Sequence, residues 1–339
     1  MLIPCYLSGI GASTPSRVLT NQDIERMVDT SDEWIQTRTG IQSRHVLAEG
    51  EYPSDLTTEA AGKAIAASGW KPEDITHVLT ATCTPEYLCP SASCLTAARL
   101  GLKNVAALDV SAACSGFLYA LDVARGLVTT TPGARILTIG AEILSRRINW
   151  KDRDTCVLFG DGAGATVISA DVPAGSGFTA SMDDVLCFSD GAQGGALTVG
   201  GGTRHAYVCG VSTVEDDFFI IMAGREVFRF AVRNMTDICR TMLKRNSLNL
   251  DDIDLFIPHQ ANLRIIEAVS ERLGMDRSKV FVNIQNMGNT SAGSIPLAIN
   301  EAWAKGALRP GMRALLATFG GGFTWGAALV RIDLHTESS

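Results

Sequence analysis

The pattern of apolar and polar positions predicts alternating strands and helices along the chain. Short apolar runs are typical of buried strands, and apolar positions three or four residues apart are typical of amphipathic helices. In the first half this pattern predicts a strand at Ile3–Gly9, helices at Asn21–Val28, Ser31–Arg38 and Ser54–Ser68 (the last ended by Gly69), strands at Ile75–Thr82 and Val105–Val110, and a helix that starts at Pro90. Such alternation is typical of α/β proteins whose sheets are covered by helices.

A cysteine lies at one junction between a predicted strand and a helix. Cys114 follows the strand Val105–Val110 and three small residues. The helix after it has one apolar face, made of Phe117, Leu118, Leu121, Ala124 and Val128. Free N–H groups and the helix dipole at such a junction stabilise a thiolate, so we expect a lowered pKa for this thiol. Cys114 is therefore a candidate nucleophile, and a buried small residue is the alternative interpretation of its position.

The second half of the chain repeats segments of the first. The matches, in the same order in both halves, are PEDITHVLTAT (72–82) with LDDIDLFIPHQ (250–260), RLGL (99–102) with RLGM (272–275), and PGARILTIG (132–140) with PGMRALLAT (310–318). The first and third matches are separated by 178 residues, for example Ile75 from Ile253, and the second by 173. Ordered self-similarity of this kind predicts two related α/β halves.

We predict that residues 1–170 form the N-terminal half and residues 214–339 the C-terminal half. A Gly- and Ser-rich segment, residues 171–213, connects them. It is either a surface connection or a lid or tunnel wall beside a site, since long loops in compact proteins are often functional.

Three predicted strand ends in the second half carry chemistry that complements a cysteine. His259 follows the strand Ile253–Ile257, and Asn289 follows a predicted strand at Val280–Ile284. Three glycines, Gly320, Gly321 and Gly322, follow the strand Ala314–Thr318 and can offer backbone N–H groups. Each has an ordinary structural explanation when taken alone, but related strand ends meet in a duplicated fold. We therefore expect them to form one site with Cys114.

Composition narrows the classes of function. The formal net charge of −7 argues against nucleic acid as the main partner. Nine cysteines without close pairing fit a reducing compartment, and Cys83, Cys89 and Cys94 do not have zinc-site spacing, so we expect no metal. The start of the chain lacks a basic segment, and no apolar run is long enough for a membrane span. We predict a cytoplasmic protein that does not bind membranes.

Long motifs around these residues resemble one enzyme family. The segments DVSAACSGF, IPHQAN, GNTSAGSIP and FGGGFTWGAALVR resemble the active-site motifs of β-ketoacyl-acyl carrier protein synthase III, as do VDTSDEWIQTRTGI and LFGDGAGATV elsewhere in the chain. The resemblance implies the thiolase-like fold, in which duplicated halves form a five-layer αβαβα sandwich, and a homodimer. It also implies the initiating condensation of type II fatty-acid synthesis.

The resemblance implies a role for each residue of the predicted site. Cys114 takes an acyl group from acyl-CoA, and malonyl-acyl carrier protein then loses carbon dioxide and attacks the acyl group. His259 and Asn289 donate hydrogen bonds to the enolate oxygen formed on decarboxylation, which requires a proton on the donor nitrogen of His259. The backbone N–H groups of Cys114 and Gly321 hold the second oxyanion. Acyl-CoA and malonyl-acyl carrier protein are substrates, and no cofactor is expected.

The resemblance also implies binding residues outside the reacting centre. They are Trp34 and Arg153 around the CoA adenine, Arg38 at the CoA phosphates, and Phe228 and Asn262 along the pantetheine. Basic residues between Arg225 and Arg245 outnumber acidic ones six to two. We expect this stripe to dock the acidic acyl carrier protein, with Arg229, Arg233, Arg264 and Arg272 as contacts, a solvated charged face being the alternative.

One position departs from the family pattern. Family members that use short primers carry a bulky aromatic residue where this chain has Cys89, before Pro90. The smaller side chain predicts an acyl pocket, shared across the dimer, that accepts primers longer than acetyl. A specialised condensing enzyme of secondary metabolism remains an alternative. A degradative thiolase needs a second cysteine in the late glycine loop, which is absent, and a papain-like hydrolase needs a local signature that Cys114 lacks.

Overall fold

The computed structural model describes residues 3–202, 207–208, 211–212 and 218–333. Its strands are β1 (Tyr6–Ser13), β2 (Val18–Thr20), β3 (Ser43–His45), β4 (His77–Ala81), β5 (Ala106–Val110), β6 (Arg135–Ile143), β7 (Asp161–Ser169), β8 (Thr179–Ser189), β9 (Leu197–Val199), β10 (Tyr207–Val208), β11 (Val211–Ser212), β12 (Ile220–Met222), β13 (Leu255–Pro258), β14 (Arg313–Gly320) and β15 (Thr324–Ile332). Its helices are α1 (Asn21–Glu25), α2 (Asp32–Thr39), α3 (Pro53–Ser68), α4 (Ala92–Arg99), α5 (Gly116–Thr130), α6 (Arg153–Cys156), α7 (Gly224–Arg245), α8 (Leu263–Leu273), α9 (Ile284–Met287) and α10 (Ser294–Ala304).

Two equivalent sets of strands form one nine-stranded sheet in the order β13-β14-β15-β8-β1-β7-β6-β4-β5. In the first half β4 pairs with β6 in parallel, while β6 with β7 and β7 with β1 are antiparallel. In the second half β13, β14, β15 and β8 repeat these directions. A short antiparallel ladder between β1 and β8, from Tyr6–Ser181 to Ser8–Thr179, joins the halves.

Helices cover both faces of each half of the sheet and give five layers. Helix α3 packs on the outer face of the first half, and α7 with α8 packs on the outer face of the second. Helices α5 and α10 lie between the halves, where Phe117 and Leu121 join Ile136 and Leu316 in one buried cluster. The predicted five-layer αβαβα sandwich is confirmed. The predicted apolar face of α5 is also confirmed, because all five of its residues are buried.

The duplication begins earlier in the chain than the sequence indicated. Strand β8 is the second-half counterpart of β1, so residues 179–189 of the predicted connecting segment form a central strand. Periodicity did not indicate it because β8 (TASMDDVLCFS) has no continuous apolar run. The remainder of that segment includes β9 and a short 3₁₀ turn, while its residues 203–206, 209–210 and 213 lie outside the described residues.

Three local predictions were wrong. Val280–Ile284 is not a strand: Val280 makes one isolated bridge to Phe256, and α9 begins at Ile284. Pro90 precedes the N-cap residue Ser91 of α4 instead of starting the helix. Strand β5 is the edge of the sheet and is only partly buried, with Leu108 42% exposed.

Within the described residues, none of the helices combines the length and the apolar character needed to cross a membrane.

Candidate active site

Cys114 lies in a strained 3₁₀ turn, Ala113–Ser115, between β5 and α5. Ala113 has a φ of 46°, a region that costs a non-glycine residue energy and that is often found at functional sites. Thr324 holds the turn from the second half, since its hydroxyl donates to the Ala112 carbonyl at 2.9 Å. At the end of β14, Gly320 packs so closely that a Cβ there would lie 2.6 Å from the Cys114 nitrogen.

The second half has an equivalent turn, Ser291–Gly293, before α10. Ser291 has a φ of 47°, and the separation of 178 residues found in the sequence repeat also separates Ala113 from Ser291. The two turns contact each other at the centre of the molecule. The duplication therefore places the residues around Asn289 directly against the Cys114 turn.

One cavity brings Cys114, His259 and Asn289 together. Its volume is about 680 Å³, and its walls come from α2, α7 and α8, with Phe159, Leu197 and Phe319 near the cysteine. All three predicted residues are buried. A nucleophile and two polar groups therefore line one cavity.

His259 follows β13 and is neutral in the structure. Its backbone N–H donates to the Ala317 carbonyl of β14 at 2.8 Å, which fixes the strand end. Its Nδ1 lies 2.6 Å from the Ser294 hydroxyl at the start of α10. Nε2 is buried and has no partner in the described part of the chain. Burial lowers the pKa of His259 to about 3, so the ring carries one proton on one of its two nitrogens.

The amide of Asn289 is held in one orientation. Its side-chain oxygen accepts a hydrogen bond from the Ser291 N–H at 2.9 Å. Its own backbone N–H donates to the Leu158 carbonyl at 2.9 Å, and its carbonyl accepts from the Gly160 N–H. The oxygen is thus occupied, and the amide NH₂ is the group left to face a ligand in the cavity.

The pKa of the Cys114 thiol is raised, and the predicted lowering is wrong. Burial raises it to about 12, and the nearby Ser291 hydroxyl, which can stabilise a thiolate, opposes that effect only in part. The N–H groups and dipole at the start of α5 lower the pKa by less than the loss of water around the sulfur raises it. Cys114 is therefore a protonated thiol, and a nucleophilic role requires a nearby group that accepts its proton.

A second cavity of about 700 Å³ lies on the other side of Cys114. It is lined by Gly321 from the glycine loop, by Tyr87 and Leu88 from the segment before α4, and by Glu142 at the end of β6. Gly321 thus faces this cavity rather than the first one. Cys89 lines neither cavity within this chain and is exposed.

The predicted CoA residues gather at the opening of the first cavity. Trp34 and Arg38 come from α2, Phe228 from α7 and Asn262 from the N-cap of α8, and all four line the cavity. The Asn262 amide donates to the Arg38 carbonyl at 3.1 Å, which ties α8 to the end of α2. Arg153 is outside the lining, but its guanidinium lies 4.9 Å from the centre of the Trp34 ring.

The predicted docking arginines lie on the neighbouring helices α7 and α8. Arg229 and Arg233 are on α7 and Arg264 and Arg272 on α8, and all four are exposed. Arg264 also lines the cavity opening. The basic stripe therefore reaches, at Arg264, the entrance where the CoA residues meet.

Sequence reasoning missed Glu142. This carboxyl is buried beside Cys114, where it accepts hydrogen bonds from the Cys83 N–H at 3.0 Å and from the Thr84 hydroxyl at 2.5 Å. The signal was available, because an acidic residue interrupts the apolar run ILTIGAEIL of β6. A charge inside an otherwise apolar strand rarely lacks a specific reason.

Across the residues that the structure describes, there is no group of three or more histidine, cysteine or acidic side chains arranged to hold a metal ion.

The fold and this site define a thiolase-fold condensing enzyme of the acyltransferase class. Family models agree: "3-Oxoacyl-[acyl-carrier-protein (ACP)] synthase III" matches residues 108–184, and the C-terminal model of the same name matches residues 243–332. A β-ketoacyl-[acyl-carrier-protein] synthase III from Nitratidesulfovibrio vulgaris strain DP4 is 58% identical over 98% of this chain and 100% of its own length.

Solved structures agree with the sequence relatives. The 3-oxoacyl-[acyl-carrier-protein] synthase III of Aquifex aeolicus VF5 has a TM-score of 0.88 and 42% identity, covering 96% of this chain and 99% of that one. The priming β-ketosynthase of the R1128 polyketide biosynthetic pathway has a TM-score of 0.86 and 32% identity, covering 97% and 96%. The chain belongs to the β-ketoacyl-acyl carrier protein synthase III family, which catalyses the initiating condensation of fatty-acid synthesis.

Proposed function

We propose that this enzyme condenses an acyl-CoA primer with malonyl-acyl carrier protein to give 3-ketoacyl-acyl carrier protein, through an acyl thioester on Cys114. The observation that carries the proposal is the position of Cys114 between two cavities. One side offers His259 and Asn289 and an opening to solvent, and the other offers room for an acyl chain. A ping-pong reaction needs both cavities, because the acyl group stays on Cys114 while CoA leaves and the acyl carrier protein enters.

Acylation uses the turn that holds Cys114. The sulfur attacks the thioester carbonyl to give a tetrahedral intermediate, and the C–S bond to CoA then breaks as this intermediate collapses to the acyl thioester of Cys114. The negative oxygen of the tetrahedral intermediate is held by the N–H groups of Cys114 and Gly321. The packing of Gly320 against the Cys114 nitrogen supports this arrangement, because it keeps the glycine loop within backbone distance of the nucleophile.

Decarboxylation of the malonyl group uses the two polar residues of the first cavity. The enolate oxygen accepts hydrogen bonds from the Asn289 amide and from His259 Nε2. The Ser294 hydroxyl supports this role when it donates to Nδ1, because the single ring proton then lies on Nε2. The neutral state of His259 fits a donor that stabilises charge without transferring a proton.

The entrance residues bind the CoA part of the primer. We propose that Trp34 and Arg153 stack around the adenine. The Arg153 guanidinium lies 4.9 Å from the centre of the Trp34 ring, and the two groups move apart to admit the base. Arg38 holds the phosphates, and Phe228 and Asn262 guide the pantetheine. The shared position of these residues at the first cavity supports this path.

The basic stripe on α7 and α8 docks the acyl carrier protein. Arg229, Arg233, Arg264 and Arg272 lie on these helices and Arg264 lines the entrance, so a carrier held there directs its pantetheine towards Cys114. Charge reversal by Arg233→Glu is expected to raise KM for malonyl-acyl carrier protein and leave acyl-CoA loading unchanged. Lys71→Glu, on the first half, is the matched control. Equal effects of both variants would contradict this docking site.

We further propose a homodimer that accepts primers longer than acetyl. The free edge of β5 supports the dimer, because Ala106 and Leu108 are exposed there and a second copy can extend the sheet. Tyr87 and Leu88 are also exposed, next to Cys89. In a dimer Cys89 reaches the second cavity of its partner, where it leaves more space than an aromatic residue.

The test is intact-protein mass after mixing with acetyl-, butyryl-, isobutyryl- and octanoyl-CoA, without a malonyl substrate. We expect the parent chain to gain the acyl mass and Cys114→Ala to gain none. Cys83→Ala is the matched control, because Cys83 lines the same second cavity. Failure of every donor to load Cys114 would contradict acyl-CoA priming, and loading by acetyl-CoA alone would contradict the longer primers.

A further inference from the structure

Glu142 is a buried acidic group for which the proposed reaction has no role. It lines the second cavity together with Cys114 and Ser291. Its oxygens accept hydrogen bonds from Cys83, from Thr84 and, at 3.4 Å, from the Ser291 hydroxyl. A carboxyl group with a purely structural role has no reason to lie next to a nucleophile, so we expect a chemical role for Glu142.

Ser291 connects this carboxyl with the thiol. Its hydroxyl is within hydrogen-bonding reach of Cys114 as well as of Glu142. The turn that presents the hydroxyl has the positive φ already described, and a strained residue persists only where the surrounding structure holds it. The three side chains therefore form a continuous path from sulfur to carboxylate.

The thiol needs a proton acceptor, since burial keeps it protonated. His259 is a weak acceptor because burial lowers its pKa to about 3. Burial raises the pKa of Glu142 to about 7, which makes its carboxylate the better base of the two. The charged or titratable groups around Glu142 in the described residues are Cys83, Glu86, Tyr87, Cys114, Arg147 and Asp161.

We propose that Glu142 is a positioning residue that stores the thiol proton of Cys114, through Ser291, while the enzyme carries its acyl group. This inference rests on the proposed function. On acylation the S–H bond breaks, the proton moves to Ser291 Oγ, and the proton of Ser291 moves to Glu142. CoA leaves as a thiolate, which solvent protonates. On condensation the Cys114 thiolate is released, and the proton returns from Glu142 by the same path.

The first test is independent of any acyl donor. Alkylation of Cys114 by iodoacetamide, followed by intact mass against pH, reports the reactivity of the thiol. In the parent we expect the rate to rise through an inflection near pH 7, where Glu142 ionises. Glu142→Gln keeps the shape of the side chain, and we expect it to remove the inflection and slow alkylation at about pH 8 by roughly 10- to 100-fold.

Three further variants separate this role from a structural one. Glu142→Asp keeps a carboxylate, and we expect it to retain the inflection with a partial rate. Ser291→Ala breaks the path and is expected to behave like Glu142→Gln. In the parent, the negative charge of the buried Asp161 raises the pKa of Glu142. Asp161→Asn removes that charge, so the inflection should remain and move to lower pH. Thermal melts of all four variants identify any that fail to fold.

The second test measures acetyl-CoA loading of the same variants over the same pH range. We expect the loading rate to follow the alkylation profile. A profile shared by the parent and Glu142→Gln, in either measurement, would overturn this inference. If the parent is alkylated with the expected inflection but is never acylated, the proposed function is overturned. The effect of Glu142 on the reactivity of the Cys114 thiol would still stand.

Discussion

At the residue scale, the two hydrogen-bond donors of the first cavity have roles that can be separated from that of the nucleophile. We expect Asn289→Asp to keep acyl loading of Cys114 and to reduce condensation by roughly 10²–10³-fold, because a carboxylate repels the enolate where the amide donated to it. The measurement combines intact mass for loading with carbon dioxide release from malonyl-acyl carrier protein. Asn289→Gln, which keeps the amide one methylene further out, is the matched control. Equal loss of both steps would contradict the assignment.

The neutral state of His259 has a consequence for stability. Its folded pKa, about 3, lies below that of an unfolded histidine, about 6.5, so the unfolded chain binds the extra proton between these values. This residue therefore makes the folded state less stable as pH falls below about 6.5. Glu142 acts in the opposite sense, because its raised pKa stabilises the folded state at low pH and that contribution is lost as pH rises through about 7.

His259→Gln is expected to remove the first of these two effects. The free energy of unfolding, measured in urea at about pH 7 and about pH 5, should fall less for the variant than for the parent on acidification. His45→Gln is the control, since that residue is only half-buried in the structure. A parent and a His259→Gln variant with the same pH dependence would show that the imidazole is not neutral when folded.

At the element scale, the structure separates what periodicity could predict from what it could not. Strands β4 and β14 and helices α3 and α5 have uniform apolar faces, and the sequence predicted them to within about two residues. Strand β8 was missed because its buried and exposed positions do not alternate regularly. A strand at 280–284 was expected before the position that corresponds to the Cys114 turn, but the structure has only one bridge there.

The candidate site was predictable for a related reason. Cys114 and Asn289 adjoin the two equivalent turns, and His259 follows β13, the counterpart of β4, so the repeat indicated that they meet. Glu142 and Ser291 could not be predicted as site residues, because their roles depend on the distance between side chains from different elements. The raised pKa of Cys114 likewise depends on burial by the second half, which the local sequence does not contain.

Helix α5 should be sensitive to truncation on one face only. Leu121 is completely buried between the two halves of the sheet, whereas Val123 is exposed on the same helix. We expect Leu121→Ala to lower the free energy of unfolding by about 2–5 kcal/mol, because it leaves a cavity in the central layer. Val123→Ala should lower it by about 0.5 kcal/mol or less. Denaturant unfolding measures both, and similar losses would contradict the central position of α5.

At the scale of the whole molecule, the proposed dimer depends on the exposed edge of β5. We expect sedimentation velocity to show a dimer for the parent, and Leu108→Lys to shift it towards monomer, because a charge on an edge strand prevents further pairing. Val18→Lys changes another exposed apolar residue, on β2, and is the matched control. A parent that sediments as a monomer, or a Leu108→Lys variant that remains a dimer, would contradict the proposed interface.

The dimer and the primer preference can be tested together through Cys89. Cys89→Phe restores the bulky aromatic residue, and we expect it to slow octanoyl loading by roughly tenfold or more by overfilling the pocket, while acetyl loading is kept. Because Cys89 lines neither cavity of its own chain, we expect its effect to act on the pocket of the partner. In the Leu108→Lys background the same substitution should then have no effect on octanoyl loading. If Cys89→Phe slows octanoyl loading equally in the monomeric Leu108→Lys variant, residue 89 acts on the pocket of its own chain. That result would contradict a pocket shared across the dimer.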